Sequence, residues 1–481
     1  MRTEGIAALA AAAALVACGS SGKGGAADAP PSSPAVAFGS RGPWPVSNVT
    51  YGSADGIRES PVVGFTSDES QNRWVATPFA LYLLKPGQIS FRRYDASDGL
   101  HLDANPVEYC DDAPMAPGAR CSGALSSGAG HAITRIVGGG ANEVFVGYRG
   151  TDPDPAIQCA PKSPQSEGGE DYCDPARHTG KLDRVRVGED GRLAVDRMDL
   201  LANREGGGYW YDRTVQSLAF DHFAHPHTLY AGTNHGVAIV FPDRYRLPRP
   251  GEWFDLAYVE WMGDHLHARV CDPGPCPTTS EGPQRMGDWA GLAIDASGDL
   301  WHAGRWTAGL ITWVSDPGEW FGRTGRAFKV AFGDPYPQAP DADGFRNEPV
   351  FPVAREGDSP HLTGAAVCPD GRVWFSSSGP QSGTGDTVAV WNGKSFRTFA
   401  ATALGLGGSA VRDLACLPDG RVVLAGTSSG VVLHDPAKKT STPVPGLPSG
   451  TITRVEVDRM VSPPTLHVST DAGAVAIRVL P

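Results

Sequence analysis

The stretch LACLPDGRVVLAGTSSGVVLHD, residues 414–435, decides the fold. It holds three short apolar segments, which a Leu-Pro-Asp-Gly turn and a Ser-Ser-Gly turn separate. Short apolar segments broken by Asp, Gly and Pro are typical of antiparallel β-strands joined by tight turns. The same pattern occurs upstream as AAVCPDGRVWFSSSG, residues 365–379. The stretch is therefore one copy of a repeat.

Copies of this unit run along most of the chain. Each copy has an apolar strand A, a turn rich in Asp and Gly or Pro, and a strand B, and a strand C and often a strand D follow. The copies span residues 62–84, 133–150, 215–241, 292–313, 365–379, 414–435 and 455–479, with strand B centred near residues 75, 145, 230, 301, 374, 423 and 467. Seven such units, with no capped helical segment, predict an all-β fold, a seven-bladed β-propeller of four-stranded antiparallel blades.

The last unit has no strand D of its own. The segment Val46–Tyr51, which precedes the first unit, is predicted to supply it. The N-terminal strand would then join the C-terminal blade and close the ring, which leaves no open sheet edge. We therefore assign residues 45–481 to a single β-propeller domain, although the usual size of about 150 residues per domain would suggest three domains.

The first unit carries a recognisable pattern. Asp55-Gly56-Ile57 precedes strand A, Trp74-Val75-Ala76-Thr77 closes strand B, and Asp98-Gly99-Leu100 repeats the first element. These residues resemble the two-component-regulator propeller repeat, which is a WD-repeat-like superfold. The resemblance implies a β-propeller and leaves the function open. No membrane-spanning segment or kinase module follows the propeller, in contrast to sensor kinases that contain this repeat.

The N-terminus predicts export and lipid anchoring. Arg2 is followed by an Ala-rich apolar stretch of signal-peptide length, which ends in Leu15-Val16-Ala17-Cys18. This box resembles the bacterial lipobox, so residues 1–18 are predicted to be a lipoprotein signal peptide and Cys18 the lipidated residue. Residues 19–44, rich in Gly, Ala, Ser and Pro, are predicted to be a flexible tether. No Asp follows Cys18, which by family analogy favours the outer membrane, facing the periplasm or the cell surface.

Composition excludes several classes of protein. The 481 residues carry a formal net charge of −12, which argues against nucleic-acid binding because that function needs a basic surface. Charged residues make up 20%, too few for a coiled coil. No run of 18 apolar residues occurs, so no membrane-spanning helix is predicted.

Six cysteines fall in close pairs: Cys110 with Cys121, Cys159 with Cys173, and Cys271 with Cys276. In an oxidising compartment such short loops predict local disulfides. Cys368 and Cys416 each end a strand A just before a Pro-Asp-Gly turn, and we interpret them as equivalent positions of the repeat. The expectation for this last pair is two buried free thiols, and the alternative is a disulfide between neighbouring blades.

Extra length is concentrated on one face of the predicted propeller. The long links lie between strands D and A, near residues 101–130, 260–288 and 332–360, and between strands B and C, near residues 151–180. Because successive antiparallel strands reverse direction, D–A and B–C links emerge on the same face, which we call the insertion face. All three close cysteine pairs lie in these links. Long loops often carry function, although drift of tolerated surface loops is the alternative.

Residues just before strand A should surround the channel mouth on the insertion face. Aromatic rings beside Asp and Arg suit a polar ligand such as a sugar or a peptide, and ordinary packing between blades is the alternative. The candidate ligand-binding residues are Tyr209, Trp210, Tyr211, Asp212, Arg213, His131, Asp288, Trp289 and His361.

Two functions fit this sequence. The first is a lipid-anchored cell-envelope propeller that acts as a ligand- or protein-binding or scaffold module, with an envelope protein, peptide or glycan as its partner and no cofactor. The alternative is an envelope hydrolase or lyase in which His131, Asp288 and His361 form a channel-mouth site. No G-x-S-x-G, Walker A or H-E-x-x-H motif occurs.

The histidines of DHFAHPH, residues 221–227, are interpreted as part of a turn rather than a metal site.

Overall fold

The structure is a computed structural model, and it describes the propeller region in segments. These are residues 48–100, 102, 132–149, 182–198, 215–224, 227–233, 237–245, 259–262, 289–304, 307–313, 325–329, 348–349, 362–378, 386–408 and 410–479. Throughout these segments the regular structure is β-strand with four single-turn 3-10 helices. Among the same residues, no helix has the length and apolar character needed to cross a membrane.

The described strands follow one another in short antiparallel runs. Their bounds are β1 Val49–Tyr51, β2 Gly64–Ser67, β3 Arg73–Thr77, β4 Ala80–Leu84, β5 Arg92–Tyr94, β6 Ile133–Gly138, β7 Glu143–Tyr148, β8 Leu182–Val187, β9 Leu193–Met198, β10 Val215–Asp221, β11 Thr228–Thr233, β12 Val237–Val240, β13 Val259–Met262, β14 Gly291–Ile294, β15 Leu300–Ala303, β16 Thr307–Trp313, β17 Gly325–Lys329, β18 Glu348–Pro349, β19 Leu362–Val367, β20 Val373–Ser377, β21 Val388–Trp391, β22 Phe396–Phe399, β23 Val411–Cys416, β24 Val422–Gly426, β25 Val431–Asp435, β26 Thr440–Pro443, β27 Ile452–Asp458, β28 Thr465–Thr470 and β29 Gly473–Arg478. The 3-10 helices are Ser53–Asp55, Ala96–Asp98, Pro242–Arg244 and Ala401–Leu404.

Within the described segments these strands pair into antiparallel sheets, and each sheet is a blade named here by its first strand. The β2, β6, β10, β14, β19 and β23 blades each take four consecutive strands, and β18 adds a fifth to the β14 blade by pairing with β16. The remaining sheet has the strand order β1-β29-β28-β27. We call it the β27 blade after its strand A. The protein is therefore an all-β propeller with four-stranded antiparallel blades. Each strand B lies where the repeat predicts it.

The core lies between blades. Strand A of each blade contacts strand A of the next, from β2 through β6, β10, β14, β19 and β23 to β27, and β27 contacts β2. Apolar side chains of neighbouring blades form shared clusters, as where Trp74 of the β2 blade meets Ile136 and Val146 of the β6 blade. Because each blade alternates apolar residues to both faces of its sheet, a blade can bury both faces only between two neighbours.

A bulge near the start of strand A recurs in five blades, and in three of them its threonine bonds the blade to the next. The hydroxyl of Thr134 donates to the carbonyl of Val215 at 2.7 Å. The hydroxyl of Thr363 donates to the carbonyl of Val411 at 2.8 Å. Thr453, at the same bulge of the β27 blade, donates to the carbonyl of Val62 before β2. One residue type at one repeat position thus serves three separate blade junctions.

In two blades the turn between strands A and B is stabilised by an aspartate that accepts from a tryptophan. In the β2 blade, Asp68 Oδ2 accepts from the indole nitrogen of Trp74 at 2.9 Å. In the β14 blade, Asp295 Oδ2 accepts from Trp301 at 3.1 Å. In the β19 blade, Cys368 occupies the aspartate position, and the indole nitrogen of Trp374 has no hydrogen-bond partner among the described residues.

Cys368 and Cys416 form a disulfide that joins the β19 and β23 blades, with their Cα atoms 5.2 Å apart. The expectation of two free thiols is therefore wrong, as is their assignment to equivalent positions. By its backbone bonds to Arg372 and Gly371, Cys368 corresponds to Leu417, the residue after Cys416. Since side chains alternate along a strand, this offset of one residue points the two thiols to opposite faces of their own blades. Opposite faces of neighbouring blades meet, so the bridge forms.

The N-terminal strand pairs with the last strand of the C-terminal sheet. Val49 lies opposite Ala476, and Tyr51 lies opposite Ala474, in antiparallel register. The observed strand is shorter than the predicted Val46–Tyr51, and residues 46 and 47 lie outside the described segments. The β27 blade also accepts a backbone hydrogen bond from Val62, which donates to the carbonyl of Thr470 at 3.0 Å.

Candidate functional site

One of the nine predicted ligand residues lies in the described segments. Trp289 is fully buried, and its ring packs on that of His302 with centroids 4.2 Å apart. Its carbonyl accepts from Ser217 of the preceding blade at 2.5 Å. This is the packing role, and it corrects the expectation that Trp289 faces a ligand. The other eight lie outside the described residues: Tyr209, Trp210, Tyr211, Asp212, Arg213, His131, Asp288 and His361.

The cysteine predictions outside strand A also fall beyond the described residues. These are the lipidation site Cys18 and the three predicted disulfides formed by Cys110, Cys121, Cys159, Cys173, Cys271 and Cys276. They stay predictions from the sequence.

A cluster of charged side chains occupies the start of three A strands, on the side of the insertion face. It consists of Arg135 on β6, Arg412 and Asp413 on β23, and Arg454 and Glu456 on β27, and we call it the axial cluster. The charges of Arg454, Asp413 and Arg412 all act on Arg135. The β6 blade neighbours neither the β23 blade nor the β27 blade, so these groups meet across the propeller axis.

Asp413 anchors one side of the axial cluster. Its side chain is 4% exposed and pairs with Arg454, with Oδ2 3.2 Å from Nε. The same oxygen accepts from the backbone nitrogen of Val455 at 2.9 Å, and Oδ1 accepts from that of Leu414 at 2.9 Å. The carboxylate therefore joins the β23 blade to the β27 blade through one ion pair and one backbone bond.

Glu456 is held in its protonated form. Burial raises its pKa to about 8, and the hydrogen bond from Thr66 opposes that rise. Thr66 in turn accepts from the backbone nitrogen of Gly138 at 2.9 Å. This chain links the β6, β2 and β27 blades. A side chain at position 138 would meet the carbonyl oxygen of Ser67 at 1.9 Å, so only glycine permits the approach. At neutral pH the carboxyl group of Glu456 is therefore mostly protonated and can donate a hydrogen bond.

Arg135 is the least satisfied member of the axial cluster. Burial, and after it the charge of Arg454, lowers its pKa to about 9. Its Nη1 donates to the carbonyl of Thr134 at 2.7 Å, whereas its Nε has no hydrogen-bond partner among the described residues. Within the axial cluster, as far as the described residues show, three arginines thus stand against one ion-paired carboxylate, that of Asp413.

The opposite end of the axis has a different arrangement. Arg459, in the turn after β27, donates from Nη2 to the carbonyl of Cys416 at 2.9 Å and to that of Val367 at 3.3 Å. One side chain therefore reaches from the β27 blade across the ends of β23 and β19. The two ends of these A strands differ in chemistry, with charged side chains near their starts and the carbonyl contacts of Arg459 at their ends.

The axial cluster was missed at the sequence level, although a signal existed. Ile-Thr-Arg occurs at 133–135 and again at 452–454, and Val-Arg-Asp occupies the same repeat position at 411–413. Charged residues inside otherwise apolar A strands are unusual, because the faces of a blade are buried. Aligning the repeats on their bulges identifies these positions. They lie within strand A, whereas the predicted ligand-binding residues precede it.

The histidines of the 221–227 segment have carboxylate partners. His222 Nδ1 lies 3.1 Å from Glu69 Oε1, and His227 Nδ1 lies 3.2 Å from Asp243 Oδ2. The third, His225, is outside the described residues. Within the described part of the chain, no group of three or more His, Cys, Asp or Glu residues is placed to hold a metal ion.

We expect Glu456→Gln to flatten the pH dependence of stability. The carboxyl group ionises near 4.5 when unfolded and near 8 when folded. Between these values the folded state holds a proton that the unfolded state has lost, so stability falls as pH rises from about 5 to 8. Urea unfolding at pH 5 and pH 8 should show a smaller fall for the variant than for the wild type.

Glu189→Gln is the matched control, since Glu189 is exposed in the turn between β8 and β9. It should keep the wild-type fall. A Glu456→Gln variant with the full wild-type fall would contradict the assignment of a buried acid.

Comparisons with known proteins do not show a family for this chain. No protein-family model matches the chain, and no curated protein matches it. A solved chain from "YCF48 bound to D1 peptide" is 11% identical, with 90% of this chain and 96% of that chain covered and a TM-score of 0.44. One from "Crystal Structure of Mitotic Checkpoint Complex" is 10% identical, with 92% and 96% covered and a TM-score of 0.46. At these values neither likeness bears on what this chain does.

Proposed function

We propose that this chain is a lipid-anchored cell-envelope propeller that binds a ligand or a protein partner at the insertion face. The observation that carries the proposal is the axial cluster. Among the described residues, it places three arginines against one ion-paired carboxylate and leaves one guanidinium nitrogen without a hydrogen-bond partner where the A strands begin. Charge and donors left unmatched inside a fold favour a partner that matches them.

The proposal includes one closed ring of seven blades. The contacts of β27 with β2, the hydrogen bond from Thr453 to Val62 and the pairing of β1 with β29 support it. A closed ring holds the axial groups of non-adjacent blades at constant separation, which a binding site needs. The single-domain assignment of residues 45–481 belongs to the same proposal.

Kinship with two-component-regulator propellers is also proposed. The two Asp-Gly elements of the resemblance adopt one conformation. Ser53–Asp55 and Ala96–Asp98 are 3-10 turns, each followed by a glycine in the left-handed region, Gly56 at φ 99° and Gly99 at φ 101°. Two matching turns before successive blades support a shared repeat.

Membrane anchoring is the first arm of the test. We expect wild-type protein in the membrane fraction and Cys18→Ala in the soluble fraction, because the variant lacks the acylated residue. Ser20→Ala, which alters the linker and leaves the box intact, should remain with the membrane. A wild-type protein that is as soluble as Cys18→Ala would contradict the anchor.

Photo-crosslinking in intact cells is the second arm. A photoreactive residue replaces Ala403, exposed in the link from β22 to β23 at the insertion face, or Arg192, exposed in a C–D turn on the opposite face. We expect a discrete crosslinked species from position 403 and none from position 192. Identical patterns from the two positions would contradict the assignment of the binding face.

A further inference from the structure

We infer that the axial cluster binds a carboxylate-bearing ligand that enters from the insertion face. This inference rests on the proposed function and names the ligand chemistry of that site. The carboxylate belongs either to a small organic acid or to the C-terminus of a peptide, and the experiment below separates these two sources.

Charge is the first argument. Arg135, Arg412 and Arg454 contribute three positive charges, and Asp413 contributes one negative charge, while Glu456 stays mostly protonated at neutral pH because its pKa is about 8. The axial cluster therefore carries about two net positive charges within a chain whose formal net charge is −12. A local field of this sign in a narrow, low-dielectric channel concentrates anions.

The available donors are the second argument. Arg454 is engaged by Asp413, but the Nε of Arg135 has no partner among the described residues, and the exposed Arg412 stands at the entrance. Guanidinium groups pair with carboxylates through two parallel hydrogen bonds. The protonated Glu456 can donate a further bond, which an ionised glutamate could not do. Among the described side chains of the axial cluster, guanidinium donors thus outnumber ionised carboxylate acceptors, as a site for an anion requires.

Position is the third argument. Arg135, Arg454 and Glu456 are each half-buried, although protein atoms surround them densely enough to shift the pKa of Arg135 and of Glu456. That combination is expected of side chains that line a narrow channel. At the other end Arg459 spans the ends of β19 and β23 through carbonyl contacts. The ligand therefore enters where Arg412 is exposed.

The test is calorimetric titration of the detergent-solubilised full chain at pH 7. The probes are glutarate and acetyl-Gly-Gly-Gly with a free C-terminus, and their uncharged matches are glutaramide and acetyl-Gly-Gly-Gly-amide. We expect saturable binding of at least one carboxylate and of neither amide. Glutarate alone identifies a small acid, and the free peptide alone identifies a peptide terminus.

Substitutions locate the site. Arg135→Gln and Arg412→Gln should each weaken binding by about 10- to 100-fold, as expected for the loss of one charge-assisted hydrogen bond. Arg192→Gln, which removes the same charge from the opposite face, should bind like the wild type. If Arg135→Gln fails to fold, Arg412→Gln decides, because its side chain is exposed and supports no core.

Four results would overturn the inference: no saturable binding of either carboxylate, equal binding of the amides, wild-type affinity in Arg412→Gln, or tighter binding of inorganic phosphate than of glutarate. Failure of the proposed function looks different. A chain that binds carboxylate but fractionates as soluble or yields no crosslink at position 403 keeps this site and loses the envelope role. A crosslinked, anchored chain without carboxylate binding keeps the role and loses this ligand.

Discussion

Asp413→Ala is expected to lower the free energy of unfolding by about 3–5 kcal/mol, the usual loss when one partner of a buried ion pair is removed. The substitution leaves Arg454 without its 3.2 Å partner in a poorly solvated site. It also removes the acceptor of the backbone nitrogens of Leu414 and Val455. Since Val455 belongs to the next blade, the loss falls on a blade junction. Urea denaturation at pH 7 measures it.

Two further variants define the origin of that loss. Asp413→Asn keeps an oxygen acceptor and should lose less than the alanine variant. Asp419→Ala removes an exposed carboxylate that pairs with Arg421 in the turn after β23, and it should change stability by at most about 1 kcal/mol. Equal losses in Asp413→Ala and Asp419→Ala would show that burial of the axial ion pair is not what matters.

Replacing both Cys368 and Cys416 by alanine is expected to destabilise the protein by about 4 kcal/mol. The bridge closes a loop with a sequence separation of 48 residues, and the chain-entropy relation gives about that value for such a loop. Wild-type protein treated with a reductant should unfold at the same urea concentration as the double variant. A double variant as stable as the oxidised wild type would contradict a bridge between the blades.

A second double variant tests whether an aspartate at position 368 accepts a hydrogen bond from Trp374. Cys368→Asp with Cys416→Ala introduces at position 368 the aspartate that precedes tryptophan in the β2 and β14 blades. The indole nitrogen of Trp374 would gain an acceptor. We expect this variant to be about 1 kcal/mol more stable than the double alanine variant, as for one net hydrogen bond. No gain would mean that the introduced carboxylate does not reach the indole.

Strand positions were predictable because their causes are local. Each β-strand is indicated by apolar residues over a few positions, and each turn by Asp, Gly and Pro. The glycines of the Pro-Asp-Gly turns, Gly371 and Gly420, adopt φ angles of 79° and 86°, which few other residues tolerate. Turns of this kind recur from blade to blade, so the fold class could be predicted from this sequence alone.

The two cysteines show where this local logic failed. The motifs Cys-Pro-Asp-Gly and Cys-Leu-Pro-Asp-Gly differ by one residue, and treating them as equivalent gave two thiols with the same orientation. In a period-2 strand an offset of one residue reverses the side chain. The one-residue offset was visible in the sequence, but the distance of 5.2 Å between the Cα atoms depends on how closely two blades approach.

By itself, the sequence determined the all-β class, the repeating unit and the place of each strand B, because these depend on residues that are close along the chain. The tertiary structure decided the Cys368–Cys416 bridge and brought Arg135 to Asp413 and Arg454. More than 270 positions separate Arg135 from those two residues. Their charges interact only because the A strands of successive blades lie around one axis. No local sequence pattern encodes the distance between groups on different blades.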